Sequence, residues 1–317
     1  MHQFPRHAAL ACALTALLVS TPAALHAQED KVEYIPTTLS PTVTMIKGRG
    51  GNIAVSSGED GVFIIDDQLK PLTDQLLAAI RQVSDQPIRF VINTHYHGDH
   101  VGGNEAIGKS GAVIIAHDNI HQRMSTDQFN HFWNETTPAW PKESLPVVTF
   151  NDQVTLHLNG EAVKVAHVPH GHTDGDSIVH FPASNVLHMG DIYFNGLYPY
   201  IDLDGGGSIQ GMIAAVELGI SLADEETQVI PGHGPMSNLQ GLTEYHAFLT
   251  AARDNVQGLI DQGMSLDQAV AAKPTAEWDD ALGKIWITPE QLVIFIYNSL
   301  TGVDHFTALG SQETTTE

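Results

Sequence analysis

The segment Thr94-His95-Tyr96-His97-Gly98-Asp99-His100 constrains this chain more than any other stretch. It follows the apolar run Phe90-Val91-Ile92, which has the length and composition of a short buried strand, so its polar side chains fall where a sheet ends and a loop begins. His95 and His97, two residues apart, can project together and share one ion. Asp99 and His100 then reach a neighbouring ion as the loop turns into a helix expected to start near Val101. Neutral imidazole nitrogen and carboxylate oxygen are the donors that zinc accepts when thiolate is absent. Thiolate is absent here: Cys12 is the only cysteine, which also rules out a disulfide framework.

Four residues cannot fill two metal shells, so further donors are required. Three places offer them, each where a strand-like run meets a glycine-containing turn. His172 lies in Pro169-His170-Gly171-His172 after Ala162–Val168, Asp191 in His188-Met189-Gly190-Asp191 after Asn185–Leu187, and His233 in Pro231-Gly232-His233-Gly234 after Thr227–Ile230. Glycine at such a turn lets backbone approach closely and leaves the neighbouring side chain free to point outward.

Around these sites, strand-like and helix-like runs alternate. Short alternating runs at 32–38, 42–47, 52–56 and 61–65 read as a strand meander, Pro71–Val83 has helical spacing, and 112–116 is a further strand. A second series of strands starts at Val147 (147–150, 154–158, 162–167, 177–181, 186–189). Helical patterns then follow at 206–222, 239–262 and 289–300. Strands then helices, twice over, imply two similar halves packing their sheets face to face with helices outside. Between the halves, Asp127–Leu145 carries Phe132, Trp133, Pro138, Trp140 and Pro141, and is expected to be a loop that packs down or flanks the substrate.

Residues 1–27 differ from the rest. Arg6 is followed by the apolar run Ala8–Leu25, and Leu25-His26-Ala27 before Gln28 suits cleavage of a secretory signal peptide. The expected organisation is therefore a signal peptide at 1–27, one domain at 28–310 and a disordered polar tail at 311–317, with the mature chain in the periplasm and no stable membrane association. The formal net charge of −23 repels polyanions, which excludes nucleic acid as a partner and leaves a small-molecule substrate.

The pattern HxHxDH, then GHT, then GD, then PGHG, in this order and spacing, resembles the metallo-β-lactamase superfamily from about Val32 to Gly263. That resemblance implies an α+β four-layer αββα sandwich, the metallo-β-lactamase fold, with its site at one edge. It also implies two Zn2+ ions per chain: His95, His97 and His172 on the first, Asp99, His100 and His233 on the second, and Asp191 bridging both. Asp99 is the catalytic group expected to orient the nucleophile. Asp66, His170, Tyr193 and Asn195 are expected as groups behind the ligands or facing the substrate. The activity expected is hydrolysis of a small amide or ester by metal-bound hydroxide, β-lactams included. A bridging aspartate equally resembles glyoxalase II and the lactonases, so thioester or lactone hydrolysis is the alternative, and a non-catalytic periplasmic metal-binding accessory protein is the third reading.

Overall fold

Along Ile53-Ala54-Val55 and Val62-Phe63-Ile64-Ile65, successive buried side chains belong to different apolar clusters. Strand side chains alternate between faces, so both faces of this sheet must be covered. The computed structural model describes residues 34–302, and the calls on a signal peptide at 1–27 and a tail at 311–317 lie outside the described residues.

Fifteen strands are described: β1 Pro36–Thr38, β2 Val43–Ile46, β3 Ile53–Gly58, β4 Gly61–Ile65, β5 Ile88–Ile92, β6 Val113–His117, β7 Gln128–Asn130, β8 Glu135–Thr137, β9 Val148–Phe150, β10 Gln153–Leu158, β11 Glu161–His167, β12 Ser177–Phe181, β13 Val186–His188, β14 Gln228–Ile230 and β15 Ser237–Asn238. The helices are α1 Thr73–Val83, α2 Gly98–Val101, α3 Asn104–Lys109, α4 Asp118–Met124, α5 Ile209–Leu222, α6 Leu239–Asp261, α7 Leu266–Ala271, α8 Ala276–Leu282 and α9 Pro289–Thr301. One sheet has the order β1-β2-β3-β4-β5-β6-β9 and the other β10-β11-β12-β13-β14-β15, while β7 and β8 form a separate hairpin.

The layers follow from the clusters. Between the sheets, Val43, Ala54, Phe63, Ile65 and Ile92 meet Val163, Val165, Val179, Phe181 and Val186, with Phe63 and Phe181 stacked at 6.1 Å. The far face of the first sheet packs Val55, Ile64 and Val91 on Leu76, Ala79 and Ile80 of α1. The far face of the second packs Ile178, Leu187 and Val229 against α5, α6 and α9. This is the αββα sandwich.

Three expectations change in detail. The strand at 148–150 belongs to the first sheet, not the second: β9 pairs in parallel with β6, so chain order alone misassigns it. The turn after His97 enters helix at Gly98 instead of Val101, which puts Asp99 and His100 inside the short α2. The stretch expected as a loop at 127–145 contains the β7–β8 hairpin.

Candidate metal centre

The parallel pairs β4–β5 and β13–β14 set the site, because parallel neighbours end at the same sheet edge. At the end of β4, Asp66 takes a left-handed φ of 63° and is fully buried. Its carboxylate accepts from the Thr94 backbone N–H (2.7 Å), the Thr94 hydroxyl (2.8 Å) and His100 Nδ1 (2.7 Å). One carboxylate thus pins the whole His95–His100 turn. From the first sheet, Asn52 before β3 reaches across to the carbonyls of Pro231 and Gly234 and fixes the turn that carries His233. Gly232 is needed there, since a Cβ on it would lie 2.0 Å from Asp191 Oδ1.

The donors of both sheets meet at one place. Candidate ligand atoms of His95, His97 and His172 lie within 4.8 Å of one another, as do those of His95, His100 and Asp191, and those of Asp99, His100 and His233. Asp191 Oδ2 stands 3.2 Å from His233 Nε2, 3.6 Å from His172 Nε2 and 3.8 Å from His95 Nε2, while its Oδ1 is 3.1 Å from His100 Nε2.

The outer hydrogen bonds fix which nitrogen of each ring holds the proton. His172 Nδ1 donates to the Tyr200 carbonyl (2.7 Å), and His97 Nε2 donates to Asp202 (2.9 Å). Thr94, whose own hydroxyl hydrogen goes to Asp66, can only accept from His95 Nδ1 (3.1 Å). In the neutral rings, His172 Nε2, His97 Nδ1 and His95 Nε2 therefore all present lone pairs inward. Two of these face each other at 2.9 Å, and His95 Nε2 is buried with no hydrogen-bond partner. By the same logic His100, which donates from Nδ1 to Asp66, turns a lone pair on Nε2 towards Asp191 and towards His233 Nε2 at 3.4 Å. Converging lone pairs repel unless a Lewis acid lies among them. The donor set fits a cation.

The charges agree with that reading. Burial would raise Asp99, but the neighbouring His100 and His233 hold its carboxyl down at about 2. Burial likewise opposes ionisation of Asp191, yet His233, His100 and His95 hold it well below the usual carboxylate range. Reciprocally, Asp191 and Asp99 overcome burial and push His233 up to about 9, and His100 is also raised. Burial, with His97 nearby, pushes His172 down to about 4, and burial also lowers His95. In the first trio His95 and His172 are thus held neutral, whereas Asp202 raises His97 against burial, and the second contains a carboxylate that attracts positive charge.

The remaining expected groups fall in different places. Asn195 is half-buried: its backbone N–H donates to the His233 carbonyl and its amide to that of Pro235, so it steadies the His233 turn. Tyr193 is packed down against Tyr245 with its hydroxyl on Ser237, and His170 is exposed on the Gly206 carbonyl. Neither is among the residues that line the cleft over the site. Asp202 is the residue that sequence reasoning passed over. It is fully buried, accepts from Tyr96 (2.5 Å), His97 and the Gly205 N–H, and is held well below the usual carboxylate range even though burial opposes this. The only signal was an acid in a Tyr- and Gly-rich turn.

The cleft has a volume of about 1220 Å³, and its floor includes His97, Asp99, Asp191 and His233.

Residues 37–237 match the family described as the Metallo-beta-lactamase superfamily. A hydroxyacylglutathione hydrolase of Nitrosococcus oceani is 27% identical over 197 residues, covering 62% of this chain and 66% of the relative. A linear primary-alkylsulfatase of a Pseudomonas species is 24% identical, covering 69% of this chain and 46% of its own. The chain thus spans from about half to just under two thirds of these relatives' lengths. Among solved structures, a metallo-beta-lactamase from Pontibacter korlensis has a TM-score of 0.57 at 20% identity, covering 69% of this chain and 99% of that one. A sec-alkylsulfatase from a Pseudomonas species reaches 0.64 at 15% identity, covering 89% and 52%. At such identities the structures show the fold alone.

Proposed function

The chain belongs to the metallo-beta-lactamase superfamily, and from that premise we propose that it is an exported hydrolase that holds two zinc ions and cleaves a small amide or ester. The observation that carries the reading is the set of imidazole lone pairs turned inward by their outer hydrogen bonds. His95, His97 and His172 would hold one ion, Asp99, His100 and His233 the other, with Asp191 between them. When bound, such a pair polarises a carbonyl oxygen and lowers the pKa of water from 15.7 to roughly 7.

The protein's own residues do the rest. Asp99 faces the cleft and is ionised at neutral pH, so its carboxylate can accept a hydrogen bond from the attacking water and set its direction. His97, His172 and His100 keep their ring orientation through Asp202, the Tyr200 carbonyl and Asp66. In the reaction, the water oxygen bonds to the carbonyl carbon and the bond to nitrogen or oxygen breaks. The two water hydrogens end on the acid and the leaving amine or alcohol.

A second reading is thioester or lactone hydrolysis, favoured by the aspartate at position 191 and by the hydroxyacylglutathione hydrolase relative. Metal content and turnover measured on one native preparation test both. The panel is nitrocefin, acyl-glutathione, lactones and an alkyl sulfate. Two zinc ions per chain with amide or ester turnover is the expected result, and thioester-only turnover would move the assignment to the second reading. Fewer than two ions and no turnover would leave a metal-binding accessory protein.

Two further outcomes are expected. Zinc at 100-fold over its Kd should add about 2.7 kcal/mol to stability, raising Tm by roughly 5–10 °C over the chelated protein for a chain of this size. A flat Tm would remove the metal sites. Asp202→Ala frees the His97 ring to rotate and should weaken zinc about 10–100-fold at one of two sites, as read by chelator competition; equal loss at both sites would contradict this assignment.

Export is part of the proposal. Residues 1–27 would act as a signal peptide and deliver the chain to the periplasm. No helix among the described residues is long and apolar enough to cross a membrane. Fractionation and N-terminal sequencing, expected to begin at Gln28, test this.

A further inference from the structure

Eight large apolar side chains are exposed among the described residues, and four of them, Phe129, Trp133, Ile285 and Trp286, line the same cleft. Exposed apolar surface gathered in one place marks a binding site more often than chance. Its position is specific. The Trp286 ring lies 6.0 Å from the ring of His233 and 5.9 Å from that of Tyr200, and it is nearly parallel to Trp133, 7° apart with centroids at 6.5 Å. The aromatic surface therefore runs unbroken from the cleft rim to a metal-site histidine.

Two separate segments build this rim, and both are tied down. Asn130, at the end of β7, donates to the Tyr200 hydroxyl (2.6 Å), and its own side-chain oxygen accepts from the Trp133 backbone N–H (2.9 Å). Phe132 packs edge-on against Phe295 of α9 at 4.6 Å. The hairpin is a fixed wall rather than a loose loop. Ile285 and Trp286 come from the α8–α9 connection, well beyond residue 237, where the family match ends. They lie outside the stretch that the family match covers.

Resting on the hydrolase reading above, we infer that the substrate carries a large apolar or aromatic group beside its scissile bond, and that Trp133 and Trp286 hold that group and give the site its selectivity. The cleft volume of about 1220 Å³ exceeds what a minimal ester needs, and it suits a molecule with an extended apolar part. The net reaction is that of the hydrolase: ester plus water gives acid plus alcohol.

The test pairs two measurements on the purified full chain. Binding of 2-naphthylacetate is followed by calorimetry, and hydrolysis of ethyl 2-naphthylacetate is compared with that of ethyl acetate in a pH-stat. The kcat/KM ratio of naphthyl to acetyl ester should fall by about tenfold or more in Trp133→Ala and in Trp286→Ala, with most of the loss in KM and with partial recovery in Trp286→Phe. Probe binding should weaken in parallel. Should an alanine variant fail to fold by circular dichroism, Ile285→Ala and Trp286→Phe give the same ordering with smaller steps. An unchanged ratio with unchanged probe binding overturns the inference. Probe binding that depends on the two tryptophans, with neither ester hydrolysed by the wild-type chain, supports the rim while removing the hydrolase reading.

Discussion

Asp191→Ala is expected to lower kcat/KM by about a thousandfold, roughly 4 kcal/mol of lost transition-state stabilisation, and to bring bound zinc below two per chain. Among the described residues, Asp191 is the one carboxylate within 3.8 Å of histidines from both donor groups, His95 and His172 on one side and His100 and His233 on the other. It is almost wholly buried, so water cannot replace it without a place to sit. Gly232 packs directly against it and keeps the pocket closed on that side. Metal analysis and turnover on the same sample decide the matter. Full zinc occupancy with full activity would mean that Asp191 is a structural acid and that the two groups of donors act independently.

The second large effect is at Asp66, where two substitutions separate fold from site. Asp66→Ala leaves the Thr94 N–H, the Thr94 hydroxyl and His100 Nδ1–H buried without their acceptor, and should cost about 3 kcal/mol or more of folding stability. Asp66→Asn keeps the shape and one acceptor for the Thr94 N–H. Its amide NH2, however, would face His100 Nδ1, forcing that ring to accept there and to carry its proton on Nε2, the nitrogen that faces Asp191. The expected result is a chain close to wild type in urea with chelator present, yet weaker for zinc by about 10–100-fold. If the asparagine variant binds zinc as tightly as the wild type, the assigned His100 tautomer is wrong.

Much of this arrangement was legible in the sequence for a local reason. His95, His97, Asp99 and His100 are near neighbours after an apolar strand, so chain geometry alone brings them together. His172, Asp191 and His233 are each announced by a strand breaking into glycine. What could not be read is what depends on distant packing. Asp202 looks like one more acid in a Gly-rich turn, and its value comes from a ring more than a hundred positions earlier. The allegiance of β9 is invisible because a three-residue strand next to β10 in the chain pairs with β6 instead. Tyr193 stands next but one to Asp191 and yet turns into the core, because the 3-10 turn at Gly190–Ile192 sends successive side chains in different directions. Trp286 is silent too, since only the return of α9 against the hairpin brings it to the cleft.

His95, His97, Asp99 and His100 ride on one β-sheet, whereas His172, Asp191 and His233 ride on its companion. Neither half of the chain can therefore assemble a complete cage during synthesis or refolding, however well its own strands have formed. Cation capture must wait until the halves have docked, because contacts so far apart in sequence close late. On the proposed two-ion reading, each ion would work as a rivet through the joint.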